Sequence, residues 1–237
     1  MDFKKLRQIC IKETNKKIKQ SVEKDSLLMQ ASNNISETDK VMNTQIKRLR
    51  EWYELYNPEF SKSCHDHKTF LELIISKKDQ KQKDSMGADL SKEDLKPILE
   101  LVHSTNQLFD LRKQQGEYLE NVMQSLCPNV KAVAGSTTGA KLIALAGSLE
   151  KLAKIPASKI QLFGAEKALF RHIKTGARPP KHGIIHEHPI VSRVSMKEKG
   201  KAARALADKV AIAAKIDYFK GKFIGDKLRK ELEKRFK

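Results

Sequence analysis

The chain has 237 residues, of which 39% are hydrophobic, 32% charged and 6% aromatic, and it carries a formal charge of +18. So low an apolar share suits an extended helical protein better than a thick globule, and the few aromatics argue against extensive β-structure. No run of about 18 apolar residues spans a membrane, no secretory core opens the chain, and three distant cysteines (Cys10, Cys64, Cys127) fit neither a disulfide scaffold nor a zinc ribbon, which points to a reduced, intracellular setting.

Residues 1–50 are polar, with thin apolar positions at Leu6, Ile9, Val22 and Leu27. They read as a short, partly loose helical lead-in that firms into helix around Val41, Ile46 and Leu49. Residues 51–60, EWYELYNPEF, hold the only Trp and two of the four Tyr. Asn57-Pro58 interrupts the helix there, and the aromatics are expected to pack at a junction. A helix over 66–80 follows, with Phe70, Leu71, Leu73, Ile74 and Ile75 on its stripe. After the polar KKDQKQKDSMGADLS, Ser91 opens a capping-box-like S-K-E-D and a helix to Leu126. Ile98, Leu101, Val102, Leu108, Leu111, Leu119 and Val122 give that helix a rough three-four spacing. Together these elements predict a coiled-coil hairpin over residues 51–133.

Cys127-Pro128-Asn129 closes the hairpin. The small-residue-rich stretch GSTTGAKLIALAGSLEKLAKIPASKIQLFGAEKALFRHIK predicts helices over 137–152, 156–161 and 164–174, then a loop over 175–187, with Pro189 opening the next segment. SMKEKGKAARALADKVAIAAKIDYFKG reads as a long Ala-rich helix burying Ala203, Leu206, Val210, Ala213 and Ile216. KLRKELEKRFK reads as a basic helical end. Residues 134–237 would form a compact helical domain. No strand-period alternation of any length occurs, so the predicted class is all-α.

The charge is uneven. From residue 151 to 237 there are 23 Lys and Arg against 8 Asp and Glu, which gives +15 and leaves +3 for the first 150 residues. A basic module joined to a nearly balanced helical half points to a polyanion. GSTTGAK resembles a phosphate loop only loosely, because its second glycine comes early and no strand precedes it. His186-Glu187-His188 could ligate a metal with His172 and His182, but no cysteine or carboxylate cluster joins them, and no metal or other cofactor is expected. No nucleophile elbow marks a hydrolase, so no catalytic residue is assigned. The polyanion reading asks for less. Gly164, Ala165 and Glu166 open a helix whose free N–H groups favour a phosphate. Lys167, Arg171 and Lys174 share its face. Arg178, Lys181 and His182 carry the charge into the loop, Glu187 and His188 sit at its tip, and Lys201, Arg204 and Lys209 add a second row.

GSTTGAKLIALAGSLEKLAKIPASKIQLFGAEKALFRHIK, KHGIIHEHPIV and KGKAARALADKVAIAAKID together resemble the Nop domain. WYELYNPEF, DSMGADLS and LCPNVKAVAG resemble the coiled-coil segment before it in archaeal and eukaryotic Nop proteins. The likeness covers about residues 50–222 and is closest to archaeal-type box C/D ribonucleoprotein core proteins. It implies a helical module, not an enzyme, that recognises a kink-turn RNA already bound by a small ribosomal-type protein. It also implies homodimerisation through the coiled coil, in assemblies that guide RNA 2′-O-methylation or process rRNA or tRNA. A cytoplasmic place follows for an archaeal member and a nucleolar or nuclear one for a eukaryotic member. Family members carry a sizeable N-terminal domain that docks the fibrillarin methyltransferase. About 50 residues precede WYELYNPEF, which is thin for that domain, so fibrillarin recruitment is not expected. The alternatives are a paralogue without methyltransferase recruitment, similar to the spliceosomal Nop-domain factor, and a general basic nucleic-acid binder. The family loop commonly has Tyr-Gln where this chain has His186-Glu187.

Overall fold

Proline and short polar side chains punctuate this chain into helices, and the computed structural model describes residues 3–82 and 84–236 of them. Among the described residues the fold is all-α, with no strand, and no helix is long and apolar enough to cross a membrane. The chain divides into two units, residues 34–117 on one side and residues 3–33 with 118–236 on the other; the division falls inside two long helices, α2 (Lys24–Tyr53) and α5 (Lys92–Leu126). α1 (Phe3–Gln20) precedes them and buries no residue.

The long arms are α2 and α5, each of which lies mostly in the unit 34–117 and has one end in the other. Leu28, Ile35, Met42 and Leu49 recur every seven residues along α2 and are all buried, which is the heptad seam of a coiled coil. On α5, Ile98, Thr105 and Leu119 keep the same period, as do Val102 and Met123, and these five are buried too. Arg112 reaches Asp39 across the arms at 3.1 Å. This differs from the expected hairpin. The segment read as a loose lead-in supplies a 30-residue arm. The helix expected over 66–80 is α4 (His67–Ile75), only nine residues long, and the chain turns away where Lys77 takes φ 53°. α3 (Pro58–Ser63) starts on Pro58 at its first position, with the Asn57 side chain accepting from Phe60 N–H.

The aromatic junction forms as the sequence suggested. Tyr53, Phe60 and Phe70 meet with ring centroids 5.4–5.9 Å apart, within a core that includes Ile46, Leu49, Leu71, Ile74 and Ile98. Arg50 lies 4.4 Å from the Phe70 ring centroid and donates to the carbonyls of Ser61 (2.9 Å) and Cys64 (2.7 Å), capping the end of α3. Trp52 stays partly exposed outside this cluster. The Ser91 start is as expected: its hydroxyl accepts from Asp94 N–H at 3.2 Å and donates to the Asp94 carboxylate at 2.6 Å.

The other unit is built on α12 (Lys199–Tyr218). Ala202, Ala203, Ala205, Ala207, Ala213 and Ala214 are buried along it, so neighbouring backbones approach closely. Against it pack α6 (Pro128–Ala134), α8 (Leu149–Lys154), α9 (Ala157–Leu162) and α13 (Gly225–Arg235). The expected helix over 137–152 is two helices, because Gly147 takes the left-handed conformation and ends α7 (Ser136–Ala146), and the Ser148 side chain then caps α8. α10 (Glu166–Thr175), a 3₁₀ turn (Ile184–Glu187) and α11 (Pro189–Arg193) complete the unit, with Pro189 opening α11 as expected.

One polar network ties this unit together. The Asp217 carboxylate, at the end of α12, accepts from Asn129 N–H (3.2 Å), Asn129 Nδ2 (2.7 Å) and Val130 N–H (2.8 Å). It thereby caps α6, whose own cap residue, Cys127, supplies no side-chain bond. Asn129 Oδ1 in turn accepts from Ile224 N–H at 2.7 Å, at the entry to α13. Burial raises the Asp217 carboxyl above the usual range, against the pull of those N–H donors.

Candidate nucleic-acid interface

α10 buries none of its ten residues. Lys167, Arg171 and Lys174, one turn apart in succession, are all exposed. Between them Phe170 and Ile173 are 63% and 69% exposed, a large apolar area to leave in water. The helix presents cations and apolar side chains together.

The loop after α10 is fastened beside it. Gly183 N–H donates to Gln161 O (2.8 Å), Ile184 N–H donates to Phe163 O (2.7 Å), and Gln161 Nε2 donates to Lys181 O (2.6 Å). The two strips of backbone run so close that glycine is required on both. A Cβ on Gly183 would sit 1.8 Å from Phe163 O, and one on Gly164, which has φ +81°, would sit 2.3 Å from Ile184 Cγ2. His172 Nδ1 meets Ala177 O and pins the turn leaving the helix. Arg178 and Lys181 are exposed on this fastened loop, and His182 is half-buried. Gly200 packs against the Lys181 side chain, so the loop abuts the start of α12, where Lys199 and the exposed Lys201 follow. The His182 and His186 rings stack at 5.6 Å. Burial, then the charges of His186, Lys199 and Lys181, hold His182 below the usual histidine range.

Not every predicted residue is free for a ligand. Glu166 Oε1 accepts from Gly164 N–H at 2.8 Å, so a carboxylate occupies the helix start where a phosphate was expected, with Ala165 as the cap residue. Glu187 is paired with Lys141 of α7 at 2.7 Å, which neutralises the acid in the loop. His188 is half-buried and caps α11, its Nδ1 accepting from Ile190 N–H at 3.3 Å; burial and then the Arg229 charge lower its pKa. Lys209 pairs with Glu231 and ties α12 to α13. Arg204 is exposed on α12. Among the described residues no group of three or more His, Cys, Asp or Glu side chains is placed to hold a metal ion.

Sequence reasoning passed over Lys199, Lys141, Phe170 and Ile173. The signal for the last two was present: α10 carries apolar residues three apart inside a basic run, a pattern that ordinarily marks a buried face.

Comparison with known proteins shows the family. The family model described as "Nop: snoRNA binding domain, fibrillarin" matches residues 34–237. The chain belongs to the Nop family. Among Nop relatives, it is 41% identical to a NOP5 family protein of Methanocaldococcus jannaschii, over 99% of this chain and 62% of that protein. It is 39% identical to nucleolar protein 58 of Schizosaccharomyces pombe, over 85% and 44%, and 34% identical to nucleolar protein 56 of Saccharomyces cerevisiae, over 92% and 50%. The chain thus spans about half the length of the curated relatives it matches. It also superposes on a chain of the crystal structure of a fibrillarin/Nop5p complex with a TM-score of 0.59 and 27% identity, covering 99% of this chain and 77% of that one.

Proposed function

We propose that this Nop chain is a scaffold segment of a box C/D-type small ribonucleoprotein, not an enzyme. It grips a kink-turn RNA together with the RNA's small ribosomal-type protein. The observation that carries this reading is α10, which buries nothing and offers Lys167, Arg171 and Lys174 alongside Phe170 and Ile173. Cations answer phosphates, and exposed apolar side chains answer a protein surface or an unstacked base. Arg178, Lys181 and His182 extend the contact along the fastened loop, with Lys201 and Arg204 on α12 as further phosphate contacts. Glu187, His188 and Lys209 act by positioning, through their bonds to Lys141, Ile190 and Glu231. A second copy pairs through the coiled-coil unit, on which Val41, Trp52, Leu55, Leu99 and Leu111 stay exposed. An archaeal bearer would use the protein in its cytoplasm and a eukaryotic one in its nucleolus, as the names of the eukaryotic relatives suggest.

Replacing Lys167 and Arg171 together by Ala tests this. Both side chains are exposed, so the fold should persist. Affinity for kink-turn RNA should fall at least about tenfold, and the slope of log affinity against log salt should flatten by roughly two. Unchanged affinity and slope would remove α10 from the interface.

A further inference from the structure

A second basic feature lies at the start of α7, in the GSTTG stretch. A cavity of about 930 Å³ opens there, lined by Ser136, Thr137, Thr138, Arg193, Arg229 and Lys131 among others. The N–H groups of residues 136–138 precede the first intrahelical bond, which runs from Gly139 N–H to Gly135 O at 3.0 Å. The cap residue is Gly135, which has no side chain to satisfy them. Thr138 is 8% exposed and lines the cavity, and among the described residues its hydroxyl meets no hydrogen-bond partner, which leaves it open to a ligand there. Arg193, on α11, also lines the cavity and takes part in no ion pair among the described residues, so its guanidinium is available. His188 and Arg229 stand at the same wall, close enough for the Arg229 charge to depress the imidazole. Two carboxylates share the lining: Glu233 is held 2.8 Å from Arg229, and Glu198 stands exposed at the start of α12.

We infer that this cavity is a phosphoryl-binding pocket. The α7 N–H groups and the Thr138 hydroxyl would donate to the phosphoryl oxygens, and Arg193 would supply the fork of charge-assisted bonds. The shared chemistry is one phosphate group. Its source is either a free phosphomonoester or a strand phosphate of RNA.

The test follows the amide signals of Ser136, Thr137 and Thr138 in the full chain by NMR. Three probes are titrated separately: inorganic phosphate, AMP and a kink-turn RNA. Saturable shifts with phosphate or AMP support a pocket for a free phosphomonoester. Shifts with RNA alone, lost in Thr138→Val while the α10 signals still respond, support a strand phosphate. In either case Thr138→Val and Arg193→Ala should each weaken the response about tenfold. If no probe shifts these amides, or if the double variant responds like the parent, the pocket is overturned. The phosphate and AMP arms involve no RNA, so this inference and the α10 reading can fail separately.

Discussion

Asp217 ties together three helices of the basic unit. It satisfies three donors at the start of α6 from the far end of α12, and through Asn129 it fixes the entry to α13. Asp217→Ala would strand those donors, and a loss of about 2–4 kcal/mol is expected in urea unfolding. A loss under about 1 kcal/mol would mean that water replaces the carboxylate without cost. Histidine sets the pH response. His188 is held below its ordinary value of 6.5, chiefly by burial. The unfolded chain therefore gains a proton near pH 6.5 that the folded chain declines. Stability should fall as pH drops through 6.5 and level off below the folded value, with His182 adding in the same direction. A thermal-unfolding series from pH 7.5 to 5.5 checks this. The His188→Gln variant should show a shallower decline, and an identical decline would assign it to other groups. At this scale the sequence was half legible. Exposed cations could be read directly, because spacing puts Lys167, Arg171 and Lys174 on one face. The partners of Glu187, His188 and Lys209 could not, because Lys141, Ile190 and Glu231 are set by tertiary packing, not by spacing.

Elements were legible where local chemistry decides them. The Ser91 cap, the Pro189 start and the Ala-rich α12 follow from residues within a turn of each boundary. The split between α7 and α8 rests on Gly147 and Ser148, and a reading by apolar pattern alone runs through it. The long arm α2 was missed for a different reason. Its heptad seam alternates large apolar residues with Ser32 and Thr38, both buried, which thins the periodic signal. The seven-residue recurrence of Leu28, Ile35, Met42 and Leu49 was there to be counted. Leu49 is fully buried against the aromatic junction. Leu49→Ala should cost about 2–5 kcal/mol in denaturant, with hydrogen exchange quickening first within residues 34–117. A cost below about 1 kcal/mol would mean that the seam repacks around the gap.

For the whole molecule, the all-α class follows from composition and period, and the uneven charge points to a polyanion. What composition cannot convey is that the charge on α10 is interleaved with exposed Phe170 and Ile173, which on the proposed reading meet RNA and protein together. A surface of that kind should bind either component weakly and the pair strongly, because each contact pre-pays the ordering cost of the other. The decisive measurement is the affinity of the chain for a kink-turn RNA with and without the small ribosomal-type protein already bound to it, at one fixed salt concentration. Binding at least about tenfold tighter to the RNA–protein complex is predicted, and equal affinity for the bare and the protein-bound RNA would contradict the account.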